Sequence, residues 1–326
     1  MNSRPGLPDR HAIEDAARIV HAAMPATAQY AWPQLCELLR AEVWVKHENH
    51  TPVGAFKLRG GLVYFDGLRR REPGCRGVVA ATRGNHGQSV AFAARRYGMA
   101  ATIFVPHGNS REKNAAMRAL GATLIEHGED FQAAREEADR YAQAHGLHFV
   151  PSYHADLVRG VATYWMEFFS AAPALDVVYV PIGQGSGIGA CIAARAALGL
   201  RTRIAGVVSA HAPCYALSFV ARRPIEAPVT TRLADGLACR VPDADALAII
   251  LAHVDEIVQV ADAEVADAMR LLFSATHNVA EGAGAASLAA ALKQRESLAG
   301  RRIGLTLTGG NVDTGVFAQV LEGRTA

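Results

Sequence analysis

Gly77-Val78-Val79-Ala80-Ala81-Thr82-Arg83-Gly84-Asn85-His86-Gly87-Gln88 is the stretch that decides the fold. It opens as an apolar run and then breaks on Gly84, Asn85 and Gly87. A short unbroken apolar run reads as a strand buried on both faces, as in a parallel sheet. An Ala-rich helix is expected next, from Gln88 to Tyr97. The unit then recurs: a strand at Thr102–Val105, a helix at Arg111–Leu120, a strand at Ala122–Ile125 and a charged helix at Asp130–His145. Parallel strands need crossover connections, and helices in this rhythm supply them.

Farther out the plan repeats. A helix is expected over Leu157–Ser170, a buried strand at Val177–Val180, a helix at Ile188–Leu198 and a strand at Ile204–Val208. A loop at Arg222–Pro228 precedes a strand at Glu256–Val260, helices at Ala263–Ala275 and Gly284–Gln294, and a last strand at Ile303–Leu307. On the amino-terminal side, Met1–Leu7 is expected to fray. Asp9–Ala23 reads as a helix capped by Asp9, with Ile13, Ala17 and Val20 on one face, and Glu42–Glu48 alternates as a strand. A chain of 326 residues allows one large α/β unit or two lobes. Two such lobes place ligands at the carboxyl ends of strands, often in the cleft between them.

Composition narrows the class. Half of the residues are hydrophobic, enough for a large core, and the net charge is only +2. No basic stripe suits nucleic acid or a membrane surface; Arg69-Arg70-Arg71 reads as a solvated helix end. The five cysteines, Cys36, Cys75, Cys191, Cys214 and Cys239, are odd in number and far apart, with no Cys-x-x-Cys pair. That argues against a disulfide framework and a structural zinc site. Met1–Arg18 has no apolar signal core, and no stretch approaches the roughly 18 apolar residues of a membrane span. A soluble cytoplasmic protein is expected.

Four stretches carry chemistry. In Gly54-Ala55-Phe56-Lys57-Leu58-Arg59-Gly60-Gly61 the lysine is flanked by apolar side chains. Desolvation lowers a lysine pKa and leaves a neutral amine able to form a Schiff base. The competing reading is a lysine whose stem packs on apolar surface while its head reaches water. Ile182-Gly183-Gln184-Gly185-Ser186-Gly187-Ile188-Gly189 follows a buried strand and opens a helix. Its free amides suit a phosphate, although a tight strand-to-helix turn has the same glycines. A dinucleotide fingerprint fits poorly, because the next acidic residue after Gly189 is Glu226 and no Tyr-x-x-x-Lys pair exists. Thr82–Gln88 reads either as a carboxylate cradle at a helix start or as an Asn-Gly-type turn satisfying its own backbone. Thr306-Leu307-Thr308-Gly309-Gly310-Asn311 sets a hydroxyl at a strand end.

Together these stretches resemble the fold-type II pyridoxal-phosphate enzymes, and within them the serine/threonine dehydratase branch. Ala55-Phe56-Lys57-Leu58-Arg59-Gly60 is similar to that group's lysine motif, and Thr82–Gln88 to its Ser-x-Gly-Asn-His loop. Val180-Pro181-Ile182 and Gly183–Gly187 resemble its phosphate loop, with Gln184 and Ser186 replacing glycines. Ala234-Asp235-Gly236, Glu281-Gly282-Ala283-Gly284 and Thr308–Asn311 complete six motifs in order, between about residues 42 and 315.

The resemblance implies a two-lobed α/β architecture of the tryptophan synthase β type. Residues 46–150 would form a small substrate-carboxylate lobe, and residues 1–45 with 151–326 a large cofactor-binding lobe. Lys57 would hold pyridoxal 5'-phosphate as a Schiff base and then remove the substrate Cα proton. Phe56 would pack on the cofactor ring and Asn85 would contact its hydroxyl. The amides of Gly183, Gln184, Gly185, Ser186 and Gly187 would hold the phosphate, and Thr308 would face the pyridine nitrogen. A hydroxyl partner leaves that nitrogen largely unprotonated, which favours prompt β-elimination. Thr82, Arg83, Gly84 and His86 would surround the substrate carboxylate. The implied function is dehydration and deamination of an L-β-hydroxy amino acid, with threonine or serine the default and phenylserine or 3-hydroxyaspartate also allowed. Another fold-type II β-elimination or replacement reaction is the alternative, then a nicotinamide oxidoreductase or a catalytically silent cofactor-binding protein. A homodimer is implied.

Three departures matter. Arg83 stands where racemising relatives carry a serine that serves as the second acid/base, and an arginine cannot easily exchange that proton. Racemase activity is therefore expected to be weak or absent. Gly206-Val207 continues into Val208-Ser209, without the glutamate of metal-dependent relatives, so no metal is expected. The sequence also stops soon after Asn311, leaving no room for a regulatory domain, and isoleucine feedback is not expected.

Overall fold

The structure is a computed structural model in which residues 6–324 are described; Met1–Pro5, most of the stretch expected to fray, lie outside them. Among the described residues ten strands form two sheets. They are β1 Gln29–Ala31, β2 Glu42–His47, β3 Gly77–Ala81, β4 Ala100–Val105, β5 Thr123–Glu126, β6 His148–Phe149, β7 Val177–Pro181, β8 Arg203–Ser209, β9 Glu256–Val260 and β10 Arg302–Leu307. One sheet has four strands in the order β5-β4-β3-β6; the other has six in the order β1-β2-β10-β7-β8-β9. Every pairing is parallel except β1 with β2.

β3 is buried at all five positions and lies between β4 and β6, which is what its unbroken apolar sequence requires. β10 is likewise internal, between β2 and β7. The chain passes from the six-stranded to the four-stranded sheet between His47 and Gly77, and returns between Phe149 and Val177. The expected division between residues 45 and 46 therefore cuts β2, because the alternation of Glu42–His47 is one continuous strand.

Helices cover the sheets. Asp9 caps the helix Arg10–His21 by accepting from the Ala12 amide at 2.8 Å, and that helix buries Ile13, Ala16 and Val20, with Ala16 in place of the expected Ala17. The helix after β3 begins at Asn85, earlier than Gln88, so the Gly84-Asn85-His86 turn is itself the helix entry. Short helices at Pro33–Leu39, Cys214–Ala221, Ala244–His253 and Thr314–Leu321 were not foreshadowed by periodicity. No helix among the described residues is long and apolar enough to cross a membrane. All five cysteines are free thiols.

Arg59 anchors the helix Lys57–Arg71, which begins with the expected reactive lysine. Its buried guanidinium donates to Glu48 at 2.7 and 3.0 Å, to Glu167 at 2.6 and 2.9 Å, and to Thr163 Oγ1 at 3.1 Å. Lys46 Nζ adds a 2.7 Å bond to Glu167. Burial works against ionisation of Glu167, but Arg59 and Lys46 outweigh it and hold its carboxyl down at about 2. The cluster ties β2 to the helices Lys57–Arg71 and Ala155–Ala171. Those helices touch where Gly60 faces Gly160; a Cβ on Gly160 would lie 2.3 Å from the Arg59 carbonyl oxygen. Arg59→Ala is expected to destabilise the fold by about 3–5 kcal/mol, because Glu48 is left buried and unpaired. Urea unfolding monitored by circular dichroism measures this.

Candidate active site

The site lies at the carboxyl ends of β3, β7 and β10, where strand ends and helix starts border an open cleft. Backbone bonds from a strand end place the lysine. The Phe56 amide donates to the Thr308 carbonyl at 2.9 Å, and the Gly310 amide to the Gly54 carbonyl at 2.9 Å. Asn311 Nδ2 donates to the Val53 carbonyl at 2.8 Å. Gly54, at φ +67°, has no room for a side chain against the Asn311 amide. Lys57 thus enters its helix aimed from a fixed turn, and Ser89 Oγ caps its carbonyl at 2.7 Å.

Lys57 Nζ donates to Ser186 Oγ at 3.2 Å and lies 4.9 Å from the Phe56 ring centroid. Burial pushes its pKa down to about 8, against the opposing pull of Glu281. Of the two sequence readings, the half-buried Lys57 at the cleft and the downward pull of burial on its pKa favour the desolvated amine.

Beneath Lys57 the segment Gly183–Gly187 joins β7 to the helix Ser186–Ala197. Among the described residues, none of the five amides from Gly183 to Gly187 has a partner within the protein. Gly185 turns the chain at φ +101°, and a Cβ on Gly183 would lie 2.4 Å from the Gly236 carbonyl oxygen. Free amides at a helix start, where the dipole is positive, fit a phosphate group. The amine of Lys57 fits an aldehyde. The Thr308 hydroxyl has only a 3.5 Å contact to the Ala283 carbonyl, which leaves it able to meet a ring nitrogen. The residues present therefore fit pyridoxal phosphate.

The Thr82–His86 loop has a divided role. Thr82 Oγ1 accepts from the amides of Gly84 at 2.9 Å and Gly87 at 3.2 Å, so the local-turn reading holds for that hydroxyl. The amides of Asn85 and His86 have no protein partner among the described residues. Burial, and then the Lys57 charge, bring the His86 pKa down to about 3, so its ring is neutral; Nε2 has no partner among the described residues. Asn85 donates Nδ2–H to Glu281 at 2.5 Å and accepts from Asn311 at 2.8 Å, retaining one N–H. Arg83 is half-buried, and its Nε–H has no partner among the described residues.

Every sequence-predicted site residue borders this one cleft: Phe56, Lys57, Thr82, Arg83, Gly84, Asn85, His86, Gly183, Gln184, Gly185, Ser186, Gly187 and Thr308. Sequence reasoning assigned no role to the charged group between them. Lys113 Nζ donates to Asp235 at 2.7 Å and to Glu281 at 3.0 Å. Burial disfavours the Lys113 ammonium, but the two carboxylates outweigh it and raise its pKa above the ordinary lysine value. Burial pushes the Glu281 carboxyl up, against Lys113, and Asp235 adds to the push. Asp235 and Glu281 each precede a glycine in a small-residue context, which was a usable signal. Lys113, in Arg111-Glu112-Lys113-Asn114, gave none.

This fold and cleft define a fold-type II pyridoxal-phosphate enzyme. The profile of the family described as pyridoxal-phosphate dependent enzyme matches residues 25–309, and the chain belongs to that family, in its serine/threonine dehydratase branch. It is 33% identical over 311 residues to the L-threonine ammonia-lyase of Thermotoga maritima, covering 95% of this chain and 77% of that one. It is 32% identical over 287 residues to an L-threo-3-hydroxyaspartate ammonia-lyase of a Pseudomonas species, covering 87% and 89%. Maize serine racemase superposes with a TM-score of 0.89 at 26% identity, covering 98% of both chains. Gly183→Ala is expected to weaken pyridoxal phosphate binding by about tenfold or more (~1.4 kcal/mol), because the added Cβ displaces the loop that presents the amides. Absorbance titration of the apoprotein measures it.

Proposed function

We propose that this chain is an ammonia-lyase that converts an L-β-hydroxy amino acid to a 2-oxo acid and ammonia. The observation that carries the reading is a desolvated lysine amine beside a loop of unpartnered amides, facing the unpartnered amides of a second helix start. The relatives' names point the same way. Pyridoxal phosphate, when bound, supplies an aldehyde that captures a primary amine and a conjugated system that withdraws electrons from the bonds at Cα.

The chain's own residues do the rest. The amides of Gly183–Gly187 bind phosphate, and Phe56 covers the ring. Asn85 turns its spare N–H toward the ring hydroxyl and is held in that pose by Glu281 and Asn311. Thr308 offers a hydroxyl, not a carboxylate, to the ring nitrogen. The amides of Asn85 and His86 seat the α-carboxylate at the start of the helix Asn85–Arg96, with Thr82 shaping that turn. Lys57 Nζ, once its place is taken by the substrate amine, removes the Cα proton. The β-hydroxyl leaves as water, and hydrolysis returns one water, so the net products are a 2-oxo acid and ammonia.

In this reading residues 46–150, apart from Lys46 and His47 at the end of β2, form the small, carboxylate-binding lobe, and residues 1–45 with 151–326 the large, cofactor-binding lobe. Lys113 joins them, as does Asp313, which accepts from the amides of Arg111 at 3.2 Å and Glu112 at 3.3 Å. Threonine or serine is the default substrate. Five free thiols suit a cytoplasmic location, and exposed Leu217 and Val220 on one short helix suit a homodimer contact.

Lys57→Ala is expected to abolish both 2-oxo acid release and the yellow absorption of lysine-bound cofactor; a purified wild type with no such band after added pyridoxal phosphate overturns the assignment. Because a neutral amine is the reactive form, the rate at which the apoprotein captures pyridoxal phosphate is expected to rise with pH and level off above about 8. Stopped-flow absorbance checks this. Arg83 offers no second base, so Cα inversion of L-serine is expected to be undetectable by chiral chromatography while elimination proceeds.

A further inference from the structure

The cleft carries a positive charge that no step so far uses. Two cations other than Lys57 border it, Arg83 and Lys113. Lys113 is satisfied, with Asp235 at 2.7 Å and Glu281 at 3.0 Å. Those two carboxylates are the acidic residues lining the cleft, and Lys113 holds both. Arg83 has no carboxylate within 4 Å among the described residues, and its buried Nε–H has no acceptor. An arginine cannot shed its charge to relieve this, as a lysine can. A partly desolvated guanidinium without an anion is unfavourable, and an anion entering the cleft removes the penalty.

Two anionic groups already have seats. Phosphate has the Gly183–Gly187 amides, and an α-carboxylate has the Asn85 and His86 amides at the helix start. Neither needs Arg83. The loop carrying it is also fixed. The Lys113 stem crosses Gly84, where a Cβ would lie 2.3 Å from Lys113 Cδ, so Arg83 projects from a backbone that the Lys113 ion pairs hold still.

We propose that Arg83 is the specificity-determining residue of the cleft. It pairs with a carboxylate on the substrate side chain, so the preferred substrates are β-hydroxy-α-amino dicarboxylic acids such as 3-hydroxyaspartate. This rests on the ammonia-lyase reading above. A charge-assisted, two-pronged pair contributes about 1.5–3 kcal/mol, which converts to roughly 10- to 100-fold in kcat/KM.

The test measures 2-oxo acid release by the holoenzyme from L-threo-3-hydroxyaspartate, L-threonine and L-serine. The expected wild type prefers hydroxyaspartate over threonine by about tenfold or more. Arg83→Ser is expected to cut the hydroxyaspartate-to-threonine ratio of kcat/KM by roughly 10- to 100-fold, mainly through KM, and Arg83→Lys to restore part of it. An equal loss for all three substrates overturns the proposal by assigning Arg83 to the α-carboxylate. A loss traced to weaker cofactor uptake overturns it by assigning Arg83 to phosphate, and a wild type that favours threonine or serine overturns it outright. Release of no oxo acid from any substrate instead defeats the ammonia-lyase reading. A binding measurement then decides the role of Arg83 alone. Succinate, followed by the change in cofactor absorbance, is expected to bind the wild type more tightly than butyrate does, and Arg83→Ser to erase the difference. Equal binding of the two acids by the wild type overturns the pairing.

Discussion

The site depends on a backbone junction. The turn Val53–Phe56 is hydrogen-bonded to the end of β10 through Thr308, Gly309, Gly310 and Asn311, including a bridge between Ala55 and Gly309. This contact joins residues more than 250 positions apart. It fixes where the helix Lys57–Arg71 begins, and so where the lysine amine emerges. Glycine is required on both sides: a Cβ on Gly309 would lie 2.5 Å from Glu281 Oε1, and one on Gly54 would strike Asn311. A few unsubstituted backbone atoms let the turn Val53–Phe56, the end of β10 and Glu281 approach one another closely.

Around that junction charge is divided into neutralised and unneutralised groups. Arg59, Lys46, Glu48 and Glu167 form a mutually paired, largely buried cluster under the lysine helix, with the exposed His21 at its edge. Lys113, Asp235 and Glu281 form a second, at the wall of the cleft. Within the cleft, donors outnumber acceptors: the loop amides, a second helix start and Arg83 have no protein partner among the described residues, and the Lys57 amine has only the Ser186 hydroxyl. His86 is kept neutral by burial, so it adds no further repulsion. Low dielectric strengthens each donor toward an incoming anion. The arrangement suits a phosphorylated cofactor and an anionic substrate taken together.

Much of this was legible in the chain. The apolar run Gly77–Ala81 reads as an internal parallel strand because nothing polar interrupts it, and β3 is internal. The glycines of Gly183–Gly187 announce a loop whose amides stay free, since their spacing leaves no side chain to cover them. Local order was less legible where periodicity is short. The helices Pro33–Leu39 and Thr314–Leu321 hold only seven and eight residues, too few to show a 3.6-residue pattern. Helix starts are obscured as well: Asn85 and Ser186 lie inside glycine turns that propensity assigns to loop.

The sequence by itself determined the alternation of strands and helices, the lysine with its apolar flanks and the amide-rich loops, because each is encoded within a few consecutive residues. Only the tertiary structure decided which charges are spent. Lys113 looks like a surface residue of an amphipathic helix, yet it is buried between carboxylates more than 120 positions away. Arg83 sits in a loop that solvent would ordinarily claim, yet it borders the cleft with no anion beside it. Ionic pairing acts over a few ångströms in space and is indifferent to separation along the chain, so it becomes visible only when the segments are folded together.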